Sequence, residues 1–365
     1  MVLIQIIIDL QEGLSYTCPI KKRLYHHVGF SIFKRRFFMG KKINLLTMFF
    51  VLFSLSTLVL AVDCPLPDTG QTKCYNNTQE ITCPNPGQSF YGQDAQYICN
   101  PQSYTSLAGG VMVQDNVTGL VWENKTDDNS IHDKDNTYKW QDAQDVFIAA
   151  LNNDHFGEYS DWRLPTVIEI SFLVDKDRHY PSINTTSFPN TQSSSYWSST
   201  PLAGPPHGAW HVGFSSGHVY GFFKSGISYV RAVRSGQCGP FDNFIDNGDG
   251  TVTNTDTGLM WQKDTDPDTY EWQDALSYCE NLTLAGYDDW RLPNVNELQS
   301  LVDYERYGPT INTTYFPNTQ SSYYWSSTTN ADYPSGAWYV GFYDGYVYGR
   351  GKSGYGYVRA VRAGQ

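Results

Sequence analysis

Positive charge is scarce in this 365-residue chain, where 25 Lys and Arg stand against 37 Asp and Glu. The imbalance deepens past residue 61. The first 61 residues hold 8 basic and 2 acidic side chains, so the remainder carries 17 against 35, a formal charge of −18. Such a surplus keeps a protein soluble and repels polyanions, and no basic patch interrupts it, so nucleic acid is a poor partner. Histidine is confined as well. Beyond residue 61 it occurs at His132, His155, His179, His207, His211 and His218 and nowhere later. Cysteine never falls in CxxC spacing, which argues against a structural zinc site. There is no Walker loop, so phosphoryl transfer lacks its usual starting point. The loop DNGDGT at 246–251 invites a calcium reading, but placing Gly250 at the sixth loop position puts Ile245 first, where an EF-hand needs Asp. No cofactor and no metal are implied.

What is present divides the chain. Residues 1–61 read as an upstream extension and secretory signal, with Met39 as the expected start. Basic clusters at Lys21, Lys22, Arg23 and at Lys34, Arg35, Arg36 precede the apolar run INLLTMFFVLFSLSTLVLA, with Val59 and Ala61 before a cleavage point. The alternative is an uncleaved anchor, since about 20 apolar residues span a bilayer. Either way the rest is exported, to the periplasm, the cell surface or the medium. Residues 62–103 are rich in Pro, Gly, Asn and Gln and contain Cys64, Cys74, Cys83 and Cys99. So small a segment needs staples, and two bridges among these four are expected, with the pairing open. The remaining cysteines, Cys238 and Cys279, are expected to pair with each other.

The rest is a duplication. NTTSFPNTQSSSYWSST (184–200) returns as NTTYFPNTQSSYYWSST (312–328), with 15 of 17 positions the same. The copies span residues 104–237 and 238–365, each about the size of a compact domain. Each begins with a hairpin signal, TGLVWE or TGLMWQ, followed by a helical pattern. In the first copy the pattern is Trp140, Ala143, Val146, Phe147, Ala150 and Leu151; in the second it is Trp272, Ala275, Leu276 and Cys279. The pentapeptide DWRLP then occurs at 161–165 and 289–293. Thr166 with Glu169, and Asn294 with Glu297, have capping-box spacing, so DWRLP leads into a second short helix. Trp162 and Trp290 are placed in the core, and Arg163 and Arg291 become tethers that need a carboxylate or carbonyl partner. Strands fill the last third. The expected class is α+β, two short helices and several antiparallel strands per copy.

The last hairpin differs between the copies. With Asp344-Gly345 at its tip, Trp338, Val340, Phe342, Val347 and Gly349 form a core face. Tyr339, Tyr343, Tyr346, Tyr348 and Arg350 lie opposite. The first copy keeps the core face but has His211, Ser215, His218 and Phe222 on the other. This is the candidate ligand face, open to two readings, surface drift or two binding faces with different ligands. Tyrosine numbers 27 and suits recognition of sugars or proteins; contact between the two copies is the other use for it. A shared histidine mechanism is ruled out because the second copy has none. Carboxylates for acid–base work remain, at Asp161, Glu169, Asp175, Asp289, Glu297 and Asp303.

The series TGLMWQ, WQDALSYC, DWRLPNVNEL, YWSST, GAWYVGF and YVRAVR resembles the C-terminal domain of Legionella collagen-like adhesins, and both copies match along nearly their whole length. The segment DTGQTKCY…GQDAQY is similar to one that accompanies tandem copies in bacterial exported proteins. The RLP helix and the VR strand are in turn similar to formylglycine-generating enzymes and C-type lectin-like domains. The resemblance implies two tandem lectin-like domains and an adhesive role, which in the best-known members is binding of host glycosaminoglycans. It also implies a bridge from the helix cysteine to the VRxVR strand, where this chain instead has Ala232 and Ala360. The paired active-site cysteines of the formylglycine relatives have no counterpart. The functional expectation is a non-enzymatic binding protein for a glycan or a surface protein. The alternatives are a carbohydrate-active enzyme using carboxylates and a structural envelope protein.

Overall fold

A computed structural model describes residues 64–363, and the signal-like run, Met39 and the alternative anchor lie outside the described residues. Among the described residues no helix is long and apolar enough to cross a membrane. A two-stranded ladder, β1 (Cys74–Tyr75) and β2 (Glu80–Ile81), precedes the repeats. The first domain holds β3 (Tyr104–Leu107), β4 (Met112–Asp115), β5 (Val121–Glu123), β6 (Thr137–Lys139), β7 (Ser195–Pro201), β8 (Gly208–Gly213), β9 (His218–Phe223), β10 (Ile227–Tyr229) and β11 (Val233–Arg234). The second holds β12 (Phe244–Asp246), β13 (Thr251–Asn254), β14 (Leu259–Gln262), β15 (Tyr323–Thr329), β16 (Gly336–Gly341), β17 (Val347–Gly351) and β18 (Val361–Ala363). The result is two tandem domains dominated by strands, with few helices.

Each domain is closed by its own ends. The final strand pairs with the early aromatic strand, β11 with β5 and β18 with β14. DWRLP takes part in this closure, since Arg163 exchanges both backbone hydrogen bonds with Val233 (3.0 and 2.9 Å) and Arg291 does so with Val361 (2.9 Å each). Immediately afterwards the helices Val167–Ser171 and Val295–Gln299 begin. Thr166 and Asn294 each accept the amide of the third helical residue, and Glu169 and Glu297 return the bond to the cap amide. Two of the unpaired donors at each helix start are thereby satisfied.

The long helix differs between copies. Trp272–Glu280 is an ordinary α-helix that buries Trp272, Ala275, Leu276 and Cys279. Its first-copy counterpart is wound as a π-helix over Ala143–Ile148. The wider turn rotates Val146 out to solvent, about half exposed, whereas the helical spacing had placed it on the buried face.

One eight-stranded sheet, in the order β15-β16-β17-β9-β8-β7-β10-β6, runs through both domains. Its two halves meet where Val219 of β9 pairs antiparallel with Val347 of β17. These are equivalent residues of the two copies. Antiparallel meeting of equivalent strands is the mark of a two-fold relation, and the contacts across the seam obey it. Trp210 receives Tyr304 and Tyr346, with ring centroids 4.9 and 5.3 Å away. Its counterpart Trp338 receives Lys176, whose Nζ lies 3.5 Å above the ring, and His218 at 5.1 Å. One apolar core is shared by both domains, and a further core in each lies against the long helix.

The cysteines correct two expectations. Cys238 bonds Cys64, not Cys279, and Cys279 is a buried free thiol. Cys279 points from its helix into the core around Trp272 and Ala360, while Cys238 sits with Leu66 and Phe241 in the shared core. Nor do the four early cysteines pair among themselves. Only Cys74–Cys83 closes within the segment, and Cys99 is also bonded.

Candidate functional site

The hairpin loop is longer than the Asp344-Gly345 signal predicts. The last ladder pair is Val340 with Val347, and the Gly345 amide closes the loop onto the Gly341 carbonyl (2.7 Å). The register moves by two residues, since an Asp344-Gly345 turn pairs Val340 with Gly349 and the ladder pairs it with Val347. An even shift leaves the alternation of faces unchanged, so Trp338, Val340, Phe342 and Val347 still face the shared core.

The opposite face is not uniformly open, because the long helix and its core cover much of it. His211 is 2% exposed, against Trp197 (4.1 Å) and Phe222 (5.0 Å). Its Nε2 lies 3.1 Å from the Ser228 hydroxyl. It is a core residue, not a surface ligand group. Burial pushes the His211 imidazole down to about 3. The unfolded chain therefore takes up a proton near pH 6.5 that the folded chain refuses, and stability falls as pH drops below that value. His211→Tyr, the second-copy residue, is expected to spare up to about 2 kcal/mol of the loss between pH 7 and pH 5. Urea denaturation at both pH values measures this; equal losses in wild type and variant would show that the ring titrates freely.

His218, Tyr346 and Tyr348 are seam residues. His218 packs on Tyr348 (4.7 Å) and Trp338, and Tyr346 stands edge-on to Trp210. Burial and then the neighbouring Lys176 hold His218 down at about 4. Ser215 lies in the first-copy loop, where its carbonyl accepts the Tyr180 amide (3.0 Å). On the first-copy face His211 is thus buried, Ser215 and His218 are half-buried and Phe222 is exposed, while His207 stacks on Phe223.

The second-copy face is different. Tyr339 and Tyr343 converge edge-on upon Tyr323, at 4.8 and 5.5 Å. The Arg350 guanidinium lies 4.9 Å from the same ring. Tyr343 is exposed, and Tyr323, Tyr339 and Arg350 are half-buried. Tyr323 was not among the sequence candidates, although it is one of the two positions at which the long repeat differs, Ser195 standing in the first copy.

Other chemistry is absorbed by structure. The six candidate carboxylates are each held by an arginine: Asp161 by Arg234 (2.8 Å), Glu169 by Arg163 (2.7 Å), Asp175 by Arg178 (2.7 Å), Asp289 by Arg362, Glu297 by Arg291 and Asp303 by Arg306 (2.6 Å each). Two stretches match catalytic motifs by spacing alone, GFSSG at 213–217 and GRGKSG at 349–354. Ser215 lies in a hairpin loop and not on a strand-to-helix elbow, and Gly349–Gly354 leaves a strand for a turn and not for a helix. A buried cluster was missed altogether. Glu123 accepts from Lys125 Nζ (3.0 Å) and the Ala232 amide (3.1 Å), with His132 Nδ1 at 3.0 Å. In the second copy Gln262 takes the Ala360 amide instead.

The fold therefore defines a class, a tandem protein built from one strand-dominated domain present twice and joined through a common sheet. The profile of the Lcl C-terminal domain family matches residues 111–234 and again residues 250–362, and the chain belongs to that family. Among curated proteins, none matches it.

Proposed function

We propose that this is an exported, non-enzymatic binding protein that recognises a glycan through the Tyr323, Tyr339, Tyr343 and Arg350 face of its second domain. The observation that carries the reading is this cluster itself. Three aromatic rings and a guanidinium are gathered on strands β15, β16 and β17 and the loop that joins the last two, partly open to solvent, and rings of this kind give large contact area at low entropic cost. The disulfides Cys64–Cys238 and Cys74–Cys83 fit an oxidising compartment outside the cytoplasm. Closure of each domain by pairing of its final strand with an early one, β11 with β5 and β18 with β14, supports the lectin-like fold that the family resemblance implies. The arginine-held carboxylates weigh against hydrolysis.

A glycan array on the intact protein identifies the ligand class. Tyr343→Ala and Arg350→Ala, both reached from solvent, are expected to lower affinity about tenfold or more each, as central aromatic and arginine contacts do. Unchanged binding in the double variant, with folding intact by circular dichroism, would remove this face from consideration. Turnover of a bound glycan would favour the enzymatic alternative.

A further inference from the structure

The two-fold relation between the domains produces two equivalent grooves, and the described residues fill one of them. The filled groove lies between the start of the Val295–Gln299 helix and residues 172–178 of the first domain. Residues 66–72 run through it without helix. Asn296 Nδ2 donates to the Pro67 carbonyl (3.1 Å), and the Lys176 amide donates to the Thr69 carbonyl (2.8 Å). Asp177 accepts the Thr72 amide (2.9 Å), and the Thr328 hydroxyl donates to Asp94 (2.6 Å). Gly70 passes so close that a Cβ there would lie 2.8 Å from Asp175 Oδ1.

The related groove lies between the start of the Val167–Ser171 helix and residues 300–306, and it is a cavity of 420 Å³, within the usual range of ligand sites. Its lining presents the counterparts of the groups just named: Tyr304 for Lys176, Thr200 for Thr328 and Glu305 for Asp177. Thr200 Oγ1 accepts the Val167 amide (3.0 Å) as Thr328 accepts that of Val295 (3.0 Å). Among the described residues, however, the Thr200 hydroxyl hydrogen and the Tyr304 amide have no acceptor, and the Glu305 carboxylate has no donor.

We infer that this open groove receives an extended polypeptide segment of a partner protein, in the bonding pattern that residues 67–72 use across the two-fold. A main-chain carbonyl of the segment meets the Tyr304 amide and an amide or hydroxyl meets Glu305, as Thr69 and Thr72 meet Lys176 and Asp177 in the filled groove. Ile168 stands where the filled groove has Asn296, so the segment bears an apolar group at the position of Pro67. Asp242 and Glu305 add negative charge to the rim, which favours a basic residue such as the Lys73 that ends the internal segment. This site is separate from the aromatic face and does not depend on it.

The probe is a fluorescent peptide PLPDTGQTK, the sequence of residues 65–73, titrated into the intact protein beside a scrambled control. The internal segment is tethered at an effective concentration on the order of millimolar, so free peptide at micromolar concentration reports on the open groove. The expected result is at least tenfold preference over the scrambled peptide, reduced at least tenfold by the rim substitution Glu305→Lys, and unaffected by Tyr343→Ala. Equal binding of the two peptides, or binding indifferent to Glu305→Lys, overturns the inference. Displacement of the peptide by a glycan also overturns it, as does concentration-dependent dimerisation abolished by Glu305→Lys, which would make a second copy the occupant.

Discussion

Replacing Cys64 or Cys238 by serine is expected to cost up to about 5 kcal/mol of unfolding free energy, more than loss of the Cys74–Cys83 bridge. The bond spans 174 residues of sequence and ties the start of the N-terminal segment to the linker between the domains. A loop of that length loses much conformational freedom when closed in the unfolded chain, and the loss scales with the logarithm of its length. Cys74–Cys83 spans only 9 residues, and its removal is expected to cost about 2.5 kcal/mol. Cys279→Ala removes only a buried thiol, at about 1 kcal/mol. Urea denaturation with and without reductant orders the three. Cys64→Ser should also free the segment from its groove, seen as proteolysis within residues 64–103 that wild type resists. A Cys64→Ser variant no less stable than Cys279→Ala would show that the bridge merely decorates a segment already fixed by its hydrogen bonds to Thr329 and Lys176.

That bridge marks where sequence reasoning stopped. The duplication, the capping boxes after DWRLP and the core face of the last hairpin were all legible, because each is a local pattern of spacing or alternation. Pairing Cys238 with Cys279 followed from elimination along the chain, and elimination cannot see a segment that crosses from residue 64 to the linker. The relation between the domains was equally hidden. Val219 and Val347 meet through backbone groups that any residue offers, so no side-chain signal announces the joint. Tyr346, Tyr348 and His218 look like members of one free face until the partner domain is found packed beside them, where they stay half-buried. Tyr323 was within reach, since a Ser-to-Tyr difference inside an otherwise constant repeat is a local signal. Glu123 was within reach for the same reason, with Gln262 at the matching position. The long helix shows the opposite limit. Both copies read as helical by their apolar positions yet wind differently, and Val146 is thrown to solvent by a π-turn that the pattern does not announce.

The DWRLP arginines carry the second large effect, and the two copies are expected to differ. Arg291 reaches both oxygens of Glu297, at 2.7 and 2.6 Å, with side-chain exposures of 12% and 7%. Arg163 holds Glu169 at 2.7 Å on both oxygens, but is 31% exposed. The difference follows from what covers each arginine: the N-terminal segment lies over Arg291, with the Tyr97 ring 5.2 Å from its guanidinium, while Arg163 meets only the linker, donating to the Gly236 carbonyl as Cys238 donates to Glu169. Arg291→Met strands a buried carboxylate beside the helix start and is expected to cost about 3 to 5 kcal/mol. Arg163→Met leaves Glu169, itself fully buried, with the Cys238 amide (2.9 Å) as a remaining donor and with water admitted where the more exposed arginine stood, and is expected to cost less, about 2 kcal/mol. Replacing both members of the inner pair, Arg291→Met with Glu297→Met, should recover part of the loss, because no unpaired charge remains. Urea midpoints of the three variants test this. Equal losses from the two single variants would show that the segment does not shield the inner pair. A double variant no better than Arg291→Met would assign the stability to the cap bond from Glu297 to the Asn294 amide (2.9 Å), and not to the ion pair. In either case the motif acts on closure of the fold, where Arg163 and Arg291 bond Val233 and Val361, and glycan affinity at the Tyr343 face should be unchanged in any variant that remains folded.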